Sequence, residues 1–90
     1  MYKLHITNLA LEQLEEFRKA GNKSMLLKIQ KLFEELKLHP QTGTGKPEML
    51  KGDLSGFYSR RIDHKNRLIY KIINNVVTVE VISIKGHYEN

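Results

Sequence analysis

Ninety residues carry fifteen Lys and Arg against ten Asp and Glu, a formal net charge of +5, with no cysteine and no tryptophan. A chain this short supports one domain, 1–90, burying about 60–65% of its unfolded surface, and the missing cysteines exclude a disulfide scaffold, a Cys-rich zinc site and thiol chemistry. With no signal-like h-region and no apolar run of about 18 residues, the expectation is a cytoplasmic protein without membrane contact.

Tyr2, Leu4 and Ile6 alternate with Lys3 and His5, the pattern of a short edge strand over 2–6. Thr7 or Asn8 can cap a first helix, in which Leu11, Leu14, Phe17 and Arg18 recur at helical spacing until Gly21. A second helix starts at Asn22 or Lys23, with Leu26, Ile29, Phe33 and Leu36 inward and Lys28, Lys31, Glu35 and Lys37 outward, and stops at His39-Pro40. The two helices form an antiparallel hairpin. Residues 40–47 hold two Gly and two Pro and read as a loop.

Beyond the loop the period falls from 3.6 to 2, which predicts strands over about 56–62, 67–73 and 76–84. Asp63–Asn66 joins the first pair, and Asn74-Asn75, which tolerate positive φ, join the second as a tight hairpin. Val76 to Ile84 is almost continuously β-branched and reads as a central strand buried on both faces apart from Glu80. Helices first and strands afterwards imply an α+β fold: an N-terminal strand and a helical hairpin packed on one face of a twisted antiparallel sheet, the other face open.

The excess charge is concentrated. Between 46 and 71 stand Lys46, Lys51, Arg60, Arg61, Lys65, Arg67 and Lys71 against Glu48, Asp53 and Asp63, whereas 8–38 mixes both signs as a solvated helical face does. Alternation puts Phe57, Ser59 and Arg61 on one face of their strand and Tyr58, Arg60 and Ile62 on the other; Arg67, Ile69 and Lys71 share the open face of the next. A turn with an odd number of residues makes Arg61 and Arg67 cross-strand neighbours. That like-charge pair is unfavourable unless an anion such as phosphate lies between them; otherwise each arginine is solvated or paired with Glu48, Asp53 or Asp63. His5, His39 and His64 read as idle surface groups, and the acids are too scattered to suggest a metal site.

RNA brings its own nucleophile, the 2′-hydroxyl. Cutting it requires a base, cations for the charge growing on phosphorus, and an acid for the departing 5′-oxygen. Glu48, the cations Lys51, Arg61 and Arg67, and His87 supply one of each kind.

The runs Gly45-Lys46-Pro47-Glu48-Met49-Leu50-Lys51-Gly52-Asp53-Leu54-Ser55-Gly56-Phe57-Tyr58-Ser59-Arg60-Arg61-Ile62 and His64-Lys65-Asn66-Arg67-Leu68-Ile69-Tyr70, with the ending Lys85-Gly86-His87-Tyr88, closely resemble the YoeB/Txe family of bacterial toxins, within the RelE-like superfamily. The resemblance covers the last half of the chain motif by motif and implies a microbial-ribonuclease-like α+β fold. It implies a type II toxin, a ribosome-dependent endoribonuclease that cleaves mRNA in the A site without metal or cofactor. By the same resemblance Glu48 is the general base, Lys51, Arg61 and Arg67 are phosphate and transition-state ligands, His87 is the general acid, and Tyr88 stacks on or orients the substrate.

Its implied partners are a cognate acidic antitoxin of the YefM/Axe kind, the 70S ribosome with mRNA, and operator DNA through the antitoxin alone; a homodimer is compatible with the family. Two positions depart from the pattern. Met49 stands where Pro is usual, and Glu89-Asn90 come after a tyrosine that commonly ends the chain, putting a carboxylate near His87 that would raise its pKa or point into solvent. A different class, a non-catalytic RelE/ParE-like toxin or nucleic-acid-binding module, shares the fold and basic patch, but such relatives lack the Glu and terminal His-Tyr set.

Overall fold

In the computed structural model, which describes residues 1–86, the elements run β1 (Lys3–Ile6), α1 (Asn8–Lys19), α2 (Lys23–Leu38), β2 (Glu48–Met49), β3 (Phe57–Arg61), β4 (Arg67–Ile73) and β5 (Thr78–Ser83). The expectations for His87 and Tyr88, and for Glu89 beside them, fall outside the described residues. Each helix starts where a side-chain oxygen can satisfy an orphan amide. Thr7 Oγ1 accepts from the Ala10 amide at 3.2 Å and donates to the Ile82 carbonyl at 2.8 Å, so the cap also stitches α1 to β5. Asn22 Oδ1 accepts from the Met25 amide, and Gly21, at φ +69, makes the break between the helices.

The strand order is β1-β5-β4-β3-β2. The β2–β3, β3–β4 and β4–β5 pairs are antiparallel, but β1 joins β5 in parallel, Lys3 opposite Thr78 and Ile6 opposite Val81. The fold is α+β as expected and the sheet is mixed rather than wholly antiparallel. This pairing closes across more than seventy residues, and no local pattern specifies its direction.

Both helices cover one face. Ala10, Met25, Ile29, Leu32 and Leu36 meet Leu68, Tyr70, Val79, Val81, Ile62 and Ile84 in one core. The buried stripe of α2 is turned slightly from the expected one: Met25 and Leu32 are innermost with Ile29 and Leu36, while Leu26 and Phe33 are half-buried. Leu11 is exposed, and Ala10 takes the inward position on α1.

Three strand expectations are corrected. β2 forms within a stretch too short to show alternation, because the chain after Pro47 lies against β3. The strand buried on both faces is β4, at Leu68, Ile69 and Tyr70; β5 alternates, with Val79, Val81 and Ser83 buried and Thr78, Glu80 and Ile82 partly exposed. Ile73 pairs with Thr78, which leaves four loop residues rather than two. The connection is therefore a 3-10 turn at Asn74–Val76, and the positive φ falls on Val77 (φ 48) instead of on an asparagine.

Truncating Leu36, fully buried between the layers, is expected to cost about 2–5 kcal/mol in urea unfolding of Leu36→Ala. Leu27→Ala, on the solvated side of the same helix, should stay within about 0.5 kcal/mol of the parent.

Candidate functional site

The open face is organised by the β3–β4 register. Five residues, 62–66, connect the strands, so Arg61 lies opposite Arg67, Ser59 opposite Ile69 and Phe57 opposite Lys71. Asp63 fixes this turn: its Oδ1 accepts from the Lys65 and Asn66 amides at 2.9 and 2.7 Å. Burial raises the Asp63 pKa, but these bonds, the Asn66 side chain and nearby His64 outweigh it, and the group is held below the usual carboxylate value. The expected turn, 63–66, is thus corrected: Ile62 joins it, and this fifth residue selects the register in which Arg61 stands opposite Arg67.

Glu48 arrives on the same face from β2, opposite Ser59. The largely buried Arg67 side chain donates through Nη1 to Ser59 Oγ at 2.8 Å and lies 3.6 Å from Glu48 Oε1. The guanidinium is anchored by a buried hydroxyl and faces a carboxylate that is still half-exposed. Glu48 and Arg67 therefore meet, and the register sets Arg61 opposite Arg67 in the ladder. Lys51, three residues beyond Glu48, is an exposed residue at the start of a 3-10 turn (Gly52–Leu54). Gly86, the residue before His87, is held beside the cluster: the Arg67 amide donates to its carbonyl at 3.0 Å, and its own amide donates to Asn66 Oδ1 at 3.1 Å.

What holds Glu48 in place lies on the other side of β3. Alternation turns Arg60 toward the helices, where it has no solvent exposure. A buried guanidinium needs compensating partners, and α2, its C-cap, the loop that follows and β4 provide them. Arg60 Nη2 donates to the His39 and Thr42 carbonyls at 2.9 and 2.8 Å and more weakly to Tyr70 Oη at 3.4 Å. Its Nη1 lies 3.5 Å from Glu35 Oε1, which also accepts from the Thr44 amide at 2.9 Å. The guanidinium sits 5.7 Å from the Tyr70 ring centroid, and Tyr70 Oη donates to the Pro40 carbonyl at 2.6 Å. Tyr58 stacks on Tyr70 and accepts from the Gln41 amide nitrogen.

Glycine makes this approach sterically feasible: a Cβ on Gly45 (φ +87) would stand 2.5 Å from the Arg61 carbonyl oxygen and 2.7 Å from Arg60 Cγ. Burial raises the Glu35 pKa, but Thr44, Arg60 and Lys31 more than reverse this, so the carboxyl lies below its usual value. Burial raises the Tyr70 hydroxyl, with Arg60 opposing. Glu35, expected on an outer helical face, and Arg60, a residue without an expected role, both belong to the support of the site. The available signal was the double arginine, which alternation must split between two faces.

Among the described residues no three His, Cys, Asp or Glu side chains gather as metal ligands. His5 faces Glu80 at 3.8 Å, His39 C-caps α2, and His64 is exposed in the β3–β4 turn.

Comparison with known proteins places this geometry in a family. A family model described as a YoeB-like toxin of bacterial type II toxin-antitoxin systems matches residues 6–88. Toxin YoeB of Mycobacterium bovis is 39% identical over 69 residues, covering 77% of this chain and 79% of that protein. A YoeB/ParE toxin from Agrobacterium tumefaciens superposes with a TM-score of 0.89 at 36% identity, covering 96% of this chain and 99% of its own. A YoeB-YefM complex from Staphylococcus aureus gives 0.82 at 36% identity, covering 98% and 99%.

Because the Glu35 pKa is lowered on folding, its contribution to stability is complete above its unfolded pKa and is lost as pH falls through the folded value. Urea unfolding should therefore show stability declining from about pH 5 toward pH 3. Glu35→Gln should be less stable at pH 7 and lose less over that interval. Gly45→Ala, which meets both a backbone oxygen and an unfavourable φ, should cost at least about 1 kcal/mol.

Proposed function

Since the chain belongs to the YoeB-like toxins of bacterial type II toxin-antitoxin systems, we propose that it is a ribosome-dependent endoribonuclease that cleaves mRNA in the A site by attack of the substrate's own 2′-hydroxyl. The observation that supports this best is the meeting of Glu48 with the anchored Arg67, opposite Arg61, on the face of the sheet away from the helices. A carboxylate beside two guanidinium groups is what a phosphoryl transfer between RNA oxygens calls for: a base next to cations that stabilise the five-coordinate phosphorus.

In the proposed reaction Glu48 takes the proton of the 2′-hydroxyl as the bond from the 2′-oxygen to phosphorus forms. Arg61 and Arg67, paired across β3 and β4, receive the phosphate oxygens, which relieves the like-charge contact that the register imposes. Ser59 holds the Arg67 guanidinium in place beside Glu48. As the bond from phosphorus to the 5′-oxygen breaks, His87 gives that oxygen its proton, leaving a 5′-hydroxyl and a 2′,3′-cyclic phosphate. Lys51 adds charge on the phosphate side and Tyr88 orients the substrate, roles carried over from the family resemblance. Gly86, the residue before His87 in sequence, has a carbonyl that accepts from the Arg67 amide, which supports giving His87 the acid's role. The reaction takes its base, cations and acid from side chains and calls for no cofactor.

The same basic face is the proposed antitoxin site. A segment of an acidic antitoxin of the YefM kind, ordering as it binds, would neutralise the open face of β3 and β4 and carry the toxin to operator DNA. A cytoplasmic location accords with that target, and among the described residues no helix is long and apolar enough to cross a membrane.

Purified protein added to ribosomes programmed with mRNA should cut the message. Glu48→Ala and Arg67→Ala should each lower the single-turnover rate by about 10²- to 10⁴-fold. Intact message with binding retained by the parent would instead identify a non-catalytic binding module.

A further inference from the structure

Every aromatic side chain among the described residues but one packs toward the helix-side core: Tyr2, Phe17, Phe33, Tyr58 and Tyr70 all do. Phe57 does not. It is half-buried on the open face, opposite Lys71, whose Nζ lies 5.8 Å from the ring centroid. Its place along the strand gives this meaning. Ser59, which anchors Arg67, is the next residue of β3 on that face, about 6.8 Å away along the strand, so Phe57 stands within one nucleotide's reach of a phosphate held at Arg67.

We propose that Phe57 and Lys71 form a second RNA subsite, in which the base adjoining the scissile linkage stacks on the Phe57 ring and the Lys71 ammonium engages the neighbouring phosphate. The subsite rests on the nuclease reading above and extends it. In the free protein the ammonium lies over the ring. An exposed cation over phenylalanine is held weakly, whereas stacking of a base on an aromatic ring is stronger and indifferent to sequence. An incoming base therefore takes the ring and releases the lysine to the backbone. The path of the strand is bounded as well: beyond Lys71 the next cross-strand position is Glu80, which faces His5 at 3.8 Å. That carboxylate repels a phosphate backbone and keeps the RNA along β3 and β4, away from β1.

The test is single-turnover cleavage on programmed ribosomes as toxin concentration is varied. Phe57→Ala should raise the half-saturating concentration about 5- to 100-fold with the rate at saturation changed less, and Phe57→Trp should restore it; Lys71→Ala should raise it less. Urea unfolding of each variant separates a loss of fold from a loss of binding. The decisive comparison uses messages with an abasic site on one or the other side of the scissile linkage. At one of the two positions the parent and Phe57→Ala should become equal, because the base that distinguishes them is gone. An equal penalty on both abasic messages, or no penalty on the intact one, would overturn the proposal. If the parent cuts nothing, binding to programmed ribosomes whose message carries a 2′-O-methyl group at the scissile nucleotide still reads the subsite. Phe57-dependent binding there would support it and count against the nuclease reading alone; Phe57-independent binding would overturn it.

Discussion

A fully buried guanidinium whose partners come from α2, its C-cap and the loop that follows is the constraint on which the site depends. Arg60 lies on the apolar side of β3 and receives the His39 and Thr42 carbonyls, with Glu35 behind them. Those partners belong to the end of α2 and to the chain leading into Glu48, so satisfying the charge fixes the loop and, with it, the approach of Glu48 to β3. Removing one partner of such a buried pair is costly because the other charge stays buried, typically about 3–5 kcal/mol. The Gly43 and Gly45 backbones come close enough for this arrangement because neither carries a Cβ.

The two consecutive arginines show how one strand serves two ends. Arg60 points inward and organises the support; Arg61 points outward and joins Arg67 across the register. Their charges are identical and their environments opposite. Arg67 in turn links the layers of the open face, since its side chain is fixed by Ser59 and its amide by Gly86. Arg67 thus ties Ser59 and Gly86 together by hydrogen bonds, with the Glu48 carboxylate 3.6 Å from its guanidinium.

Much of this was legible in local patterns. The extent of β4, and for each helix one of the two candidate caps, Thr7 and Asn22, depend on neighbours in the chain and read correctly; the β3–β4 turn did not, because Ile62 leaves the strand and makes it five residues rather than the four of 63–66. The parallel β1–β5 pairing was not legible, because it is decided by packing between distant segments. Nor was the burial of Arg60 and Glu35: charged residues are ordinarily solvated, and only the folded loop reveals that carbonyls surround this one. Val77 was missed because a β-branched residue rarely takes positive φ, whereas Asn74 and Asn75 commonly supply it. The roles of Glu48, Lys51, Arg61, Arg67, His87 and Tyr88 came from motif resemblance; composition and periodicity alone left the arginine pair open between solvated and anion-binding readings.

The central claim is that Glu48 and the paired arginines act on a nucleophile supplied by the RNA. It is tested most directly by replacing the single 2′-hydroxyl at the scissile nucleotide with hydrogen in a message read by the ribosome. That message is expected to stay whole while its all-ribose counterpart is cut to fragments beginning with a 5′-hydroxyl. Cleavage of the deoxy-substituted message at the same linkage, or fragments beginning with a 5′-phosphate, would contradict it.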